Sequence, residues 1–163
     1  MKMIRLLVAL SAFILSAALL GGCRDEAKPA AALSPAAQEE NLNREEKTMT
    51  LSIGATKVTV DWENNEAVQE LQNLATAQPL TLQLSMYGGF EQVGDLGHIL
   101  PHNDVRLTTQ AGDIVLYSGD QIVIFYGSNT WAYTRLGHIN DKSPAEMREL
   151  LSKGDVKITI AAD

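Results

Sequence analysis

Residues 48–163 predict a mainly β domain, a closed barrel of about eight short strands capped by two short helices. Three features carry that reading. Apolar and polar residues alternate in several separate runs of strand length, the period of a half-buried strand. Gly, Asn, Asp and Ser separate those runs at short intervals, as they do in barrels and sandwiches rather than in doubly wound folds. Two segments alone switch to the spacing of three to four residues that marks an amphipathic helix.

The elements follow in order. Leu51 and Ile53 alternate with Thr50 and Ser52, Gly54-Ala55 breaks the run, and Val58 and Val60 alternate with Lys57 and Thr59, which is a hairpin pattern. Ala67, Val68, Leu71, Leu74 and Ala75 then form one apolar helix face, with Asn64 or Asn65 as its N-cap. Pro79 follows the helix, and Leu80–Tyr87 alternates as a strand. Met86-Tyr87-Gly88-Gly89-Phe90 sets aromatic residues around a glycine pair. Such a pair marks a β-bulge, the commoner cause, or a place where a ligand approaches the backbone.

Gly94–Asn103 reads as loop, and Val105–Thr108 as a weak strand. Asp113–Tyr117, Gln121–Tyr126 and Trp131–Ile139 are strong strands, divided by turns at Ser118-Gly119-Asp120 and Gly127-Ser128-Asn129. A second helix opens on Ser143 as N-cap, with Pro144 at its first position, Glu146 completing a capping box and Gly154 ending it. Val156–Ala161 is the last strand.

The N-terminal region has a different character. Lys2 and Arg5 precede the apolar run Leu6–Leu20, and Gly21-Gly22 follows it, the layout of a secretory signal peptide. The run has 15 residues, fewer than the roughly 20 needed to span a bilayer as a helix. Cys23 is the only cysteine, so no intrachain disulfide can form. Leu20-Gly21-Gly22-Cys23 resembles the lipobox of bacterial lipoproteins. That resemblance implies cleavage before Cys23, a diacylglycerol on its thiol and a palmitate-type acyl chain on the new amine. Two or more such chains make a stable anchor. The alternative is an ordinary signal peptide with a cysteine at its cleavage site. Arg24, rather than Asp, follows the cysteine, which in a Gram-negative cell implies the outer membrane, facing the periplasm. Residues 1–22 are thus expected to be signal peptide. Residues 23–47, rich in Ala, Pro, Glu and Lys and lacking aromatic residues, are expected to be a disordered tether.

Charge removes one class of partner. The chain carries a net charge of −7, and residues 48–163 contain seven basic against fourteen acidic side chains. Without a Lys/Arg cluster to neutralise phosphates, nucleic-acid binding is excluded. Anionic head groups would repel the domain, so the lipid on Cys23 is the expected link to the membrane.

Several blocks resemble the bacterial cyclophilin-like family. They are Pro79-Leu80-Thr81-Leu82 after the helix Asn65–Leu74, Gln110-Ala111-Gly112-Asp113-Ile114-Val115-Leu116-Tyr117, Asp120-Gln121-Ile122-Val123-Ile124-Phe125-Tyr126-Gly127 and Tyr133-Thr134-Arg135-Leu136-Gly137-His138-Ile139. The resemblance covers nearly all of residues 48–163 and is most specific from Ala111 to Ile139. It implies a cyclophilin barrel of reduced size, in a family most of whose members have no assigned activity. Prolyl-isomerising cyclophilins carry a Phe-x-Arg-x-x-x-x-Phe-x-x-Gln motif, whose Arg donates to the prolyl nitrogen as the amide twists over a barrier of roughly 18–20 kcal/mol. This chain lacks the motif, and only Arg106, Arg135 and Arg148 are available in the domain.

The expected function is therefore a ligand- or peptide-binding module without prolyl isomerase activity. The alternatives are a weak periplasmic prolyl isomerase using Arg135 or Arg106, and a purely structural partner-binding lipoprotein. Candidate ligand residues are Trp131, Tyr133 and Arg135 on one face of a strand, Phe125 and Tyr126 one hairpin away, and Tyr87 and Phe90 around the glycine pair. A guanidinium among aromatic faces can grip a peptide or flat ligand, and the same grouping also serves as an ordinary barrel exterior. No metal or cofactor is expected. His98, His102 and His138 lack a zinc spacing, no serine sits in a nucleophile elbow, Asp113 and Asp120 fall at strand boundaries, and there is no Gly-rich phosphate loop.

Overall fold

The computed structural model describes residues 48–163; the expected signal peptide, Cys23 and the expected tether lie outside the described residues. Ten strands and two helices follow in order: β1 (Met49–Ile53), β2 (Thr56–Val58), β3 (Val60–Trp62), α1 (Glu66–Ala77), β4 (Leu80–Tyr87), β5 (Glu91–Asp95), β6 (Val105–Thr108), β7 (Asp113–Tyr117), β8 (Gln121–Phe125), β9 (Thr130–Ile139), α2 (Pro144–Leu151) and β10 (Val156–Ala162). Nine strands are hydrogen-bonded in the path β2-β1-β10-β4-β5-β8-β7-β9-β3, and β6 pairs with β9 beside it. Every pairing is antiparallel.

The two ends of that path are joined by a single residue. Thr59 separates β2 from β3, so they are two halves of one bent strand that changes partner at the bend. Val58 in the first half faces Leu51 of β1, and Val60 in the second faces Ile139 of β9. The Thr59 carbonyl accepts from the Asn140 N–H at 3.0 Å, next to the Val60–Ile139 pair. Counted this way the barrel has eight staves, which is how the expected closed barrel is realised. The seam is tight at Gly137, where a Cβ would stand 2.8 Å from the Asp61 carbonyl oxygen.

Two features differ from the sequence expectation. Gly88 and Gly89, with φ of +61° and +75°, form the tight turn of the β4–β5 hairpin rather than a bulge. The strand that this turn introduces, β5, reads as polar because one valine is its only large apolar residue. A genuine bulge lies elsewhere: Ile114 faces Gly137 whereas Val115 faces Arg135, leaving Leu136 as the extra residue of β9.

Strand alternation fills the interior. Ile114, Leu116, Ile122 and Ile124 point inward to meet Leu51, Leu84, Ile158 and Ile160. Into the same cluster α1 inserts Ala67, Val68, Leu71 and Ala75, and α2 inserts Met147 and Leu151. Each such large side chain contributes about 1.5–3 kcal/mol on burial, and with no cysteine among residues 48–163 this core carries the stability.

Side chains fix both helices. Asn65 caps α1 by accepting from the Val68 N–H at 3.0 Å, and its amide donates to the Arg135 carbonyl at 2.8 Å, tying the helix to β9. Ser143 and Glu146 form the expected capping box of α2. That helix ends at Ser152, two residues before Gly154. Gln92 of β5 donates to the carbonyls of Leu151 and Gly154, at 2.6 and 2.8 Å, and so pins the end of α2 to the sheet.

Candidate functional site

The outer face of β5, β7, β8 and β9 carries a second apolar cluster. Alternation that sends Ile114, Leu116, Ile122 and Ile124 inward sends Val115, Val123 and Phe125 outward, where they pack with Tyr133. Phe90, Val93, Leu107 and Tyr117 lean on this cluster from its edges. Phe125 meets Tyr133 edge-on with ring centroids 5.7 Å apart, Tyr117 meets Tyr133 in the same way at 6.0 Å, and Phe90 stacks parallel to Phe125 at 6.4 Å. A sheet face this apolar on the outside of a barrel is covered or used.

A cavity of about 460 Å³ opens on this face. Its walls are the rings of Tyr87, Tyr117, Trp131 and Tyr133, its apolar lining is Val93 and Val123, and its polar groups are Glu91, Gln121 and Asn129. Trp131 and Tyr87 are 53 % and 67 % exposed and form the rim, whereas Glu91 is only 5 % exposed. The volume falls in the range of small-ligand pockets, and the lining mixes aromatic surface with few polar groups as such pockets do.

Each wall residue is held by its strand. Glu91 lies opposite Tyr87 across the β4–β5 hairpin and opposite Phe125 of β8 on its other side. Trp131 and Tyr133 lie opposite Leu107 and Val105 of β6, which keeps this half of β9 from being a free edge. Asn129 donates to the Tyr133 hydroxyl at 3.0 Å and is fixed through its backbone by Thr109.

Glu91 is the electrostatic centre of the cavity. Its Oε2 is buried without a hydrogen-bond partner, and no ion pair reaches the carboxylate among the described residues. Burial pushes its pKa up to about 7, because the ionised form loses hydration that nothing replaces. Burial likewise raises the Tyr133 phenol, and the charge of nearby Glu91 adds to that.

The candidates named from sequence divide between three places. Tyr87, Trp131 and Tyr133 line the cavity, and Phe125 and Phe90 stack behind it. Tyr126 points the other way, into the barrel interior. Arg135 turns its guanidinium to Asp113, at 3.0 Å, with Glu63 at 4.0 Å, and is not part of the cavity lining. Asp113 is 1 % exposed, and the same Oδ1 bonds His138 Nδ1 at 2.8 Å while Oδ2 accepts from the Gln110 N–H. Glu91 and Tyr117 were not among those candidates. The signal available for Glu91 was the turn itself: a Gly-Gly pair after an alternating strand starts a second strand, and Glu91 then shares a face with Val93.

Of the histidines, His102 lies 3.5 Å from Asp104, and among the described residues no group of three or more His, Cys, Asp or Glu is placed to hold a metal ion. A smaller cavity of about 310 Å³ lies between the start of α1 and the Pro101–Asn103 segment. No helix among the described residues is long and apolar enough to cross a membrane.

A small closed β-barrel with an aromatic, ligand-sized cavity on its outer wall is thus the class of domain that fold and site define. The chain belongs to the cyclophilin-like family, whose sequence model matches residues 51–161. No curated protein and no solved structure gives a significant match.

Proposed function

We propose that this protein is a ligand-binding module of the cyclophilin-like family, lacking prolyl isomerase activity, which an N-terminal lipid on Cys23 anchors to the cell envelope, at the outer membrane facing the periplasm in a Gram-negative cell. The ligand is a peptide side chain or a small molecule. The observation that carries the reading is the cavity of about 460 Å³ between Glu91, Tyr117, Trp131 and Tyr133. Rigid aromatic walls give a ligand large contact area at little entropic cost.

The composition of the lining supports binding over catalysis. It contains no serine, cysteine, histidine or lysine, so neither a Ser–His or Cys–His pair nor an activated lysine is present in it. It also contains no arginine, and Arg135, one of the two arginines the isomerase alternative could use, is engaged by Asp113 and Glu63.

Two assays test the proposal. Screening the purified protein against peptide and metabolite libraries should give ligand-dependent thermal stabilisation that Trp131→Ala removes. A protease-coupled assay with prolyl tetrapeptides should return the uncatalysed rate. Absence of any thermal shift sinks the binding reading, and an accelerated rate lost in Arg135→Ala or Arg106→Ala establishes the isomerase alternative.

A further inference from the structure

The cavity joins two features that select the same chemistry. One is the carboxyl group of Glu91, a residue only 5 % exposed, whose buried Oε2 has no hydrogen-bond partner; the other is a set of aromatic rings lining the same cavity. An unpartnered buried carboxylate is costly unless something positive reaches it. Aromatic rings line the same space, and the negative quadrupole of a ring face attracts organic cations most strongly when water is excluded. We propose that the outer cavity binds an organic ammonium cation, with Glu91 as its counter-ion and Tyr87, Tyr117, Trp131 and Tyr133 as the surrounding aromatic wall. This rests on the reading of the cavity as the ligand site and names the ligand class it takes.

The surroundings favour a cation on every side. Gln121 from the end of β8 and Asn129 from the turn before β9 add neutral polar groups, with acceptors for N–H donors, and no Lys, Arg or His lines the cavity to compete for Glu91. The remaining titratable wall groups are the phenols of Tyr87 on β4, Tyr117 on β7 and Tyr133 on β9. None of them carries positive charge. The described domain is itself acidic, with fourteen acidic against seven basic side chains, which raises the local concentration of cations over anions.

Apolar lining narrows the class further. Val93 and Val123 lie beside the carboxylate, so the ligand that matches this surface carries carbon next to its charge, as an alkylammonium does. A hydrated inorganic cation would leave those surfaces unfilled. The same chemistry is offered by a free amine or by the end of a lysine side chain.

The pH behaviour follows from the geometry. An arriving cation stabilises ionised Glu91, whose carboxyl otherwise titrates near 7. Affinity for a permanently charged cation is therefore expected to rise about tenfold from pH 6 to pH 8, following the ionised fraction of this group. At pH 6 binding releases a proton, which appears as a dependence of the heat of binding on the buffer.

The test uses choline against 3,3-dimethylbutan-1-ol, its neutral carbon isostere, measured by calorimetry and by tryptophan fluorescence, to which Trp62 and Trp131 both contribute. Nα-acetyl-lysine methylamide and n-butylammonium distinguish a peptide side chain from a free amine. The cations are expected to bind at least tenfold more tightly than the isostere. Glu91→Gln should remove that preference while the isostere binds as before. Trp131→Leu, at an exposed position, should weaken all cations with the fold intact. Equal binding of cation and isostere, or an unchanged cation affinity in Glu91→Gln, overturns the ammonium assignment alone. Absence of binding by every probe, charged or neutral, overturns the cavity as a ligand site as well.

Discussion

Glu91 and Phe125 are direct cross-strand partners on the outer wall of the barrel. A carboxylate is thereby held beside a fully buried ring that stacks on Phe90 and meets Tyr133 edge-on. Cross-strand neighbours have Cβ atoms only about 4.5–5.5 Å apart, so the register starts the Glu91 side chain beside the aromatic cluster.

That placement makes stability depend on pH in an unusual direction. The folded-state pKa of Glu91, about 7, lies above the ordinary value of 4.5. A proton is therefore held more tightly in the folded state than in the unfolded one. The contribution is fully present below about pH 4.5 and is lost as pH rises through about 7. Glu91→Gln removes the titration, and its stability relative to wild type should increase by up to about 3 kcal/mol between pH 4.5 and pH 8. Denaturant unfolding of both proteins across that range measures the difference. Parallel stability curves would show that Glu91 titrates like an exposed carboxylate.

Arg135 is expected to matter chiefly for stability. Asp113 is 1 % exposed, and Arg135→Ala leaves it with His138 and the Gln110 N–H. Losing one charged donor from a buried carboxylate costs about 1.5–3 kcal/mol. The melting temperature should fall while a saturating ligand still produces its thermal shift. Loss of the shift in a folded Arg135→Ala protein would return this arginine to the ligand site.

Barrel closure has its own probe at Gly137. A methyl group there would meet the Asp61 carbonyl oxygen at 2.8 Å and Val60 Cγ1 at 3.0 Å. The Asp61 carbonyl is backbone and cannot move without disturbing the β3–β9 pairing. Gly137→Ala should destabilise by about 1–3 kcal/mol and speed hydrogen exchange at the Trp62 and Val60 end of the seam. Gly54→Ala, where the added carbon meets nothing within 4 Å, separates packing from backbone conformation, since that site has a φ of +57°.

The proposed membrane attachment is read at Cys23. Mass spectrometry of the mature protein should find Cys23 at its N-terminus carrying diacylglycerol and an acyl chain. Cys23→Ser should release the protein from membranes. A soluble mature chain with an unmodified cysteine would overturn the anchor and leave the barrel reading untouched.

The sequence by itself determined the elements whose cause is local. Alternation located β4, β7, β8 and β9, and the Asn64-Asn65 pair and the Ser143–Glu146 capping box located both helix starts, because each signal is contained within one turn or one strand. The family was legible too, since the Ala111–Ile139 blocks fall within the matched region. Tyr87, Trp131 and Tyr133 stood out as aromatic residues in a β context. Only the tertiary structure decided the rest. Whether Thr59 continues a strand or bends it between two partners depends on β1 and β9 arriving on either side. The direction of Arg135 depends on Asp113, 22 residues away in the chain. The importance of Glu91 depends on neighbours from β4, β7, β8 and β9 that enclose it. A residue's period fixes which face it takes; burial and missing partners are properties of what the other strands bring to that face.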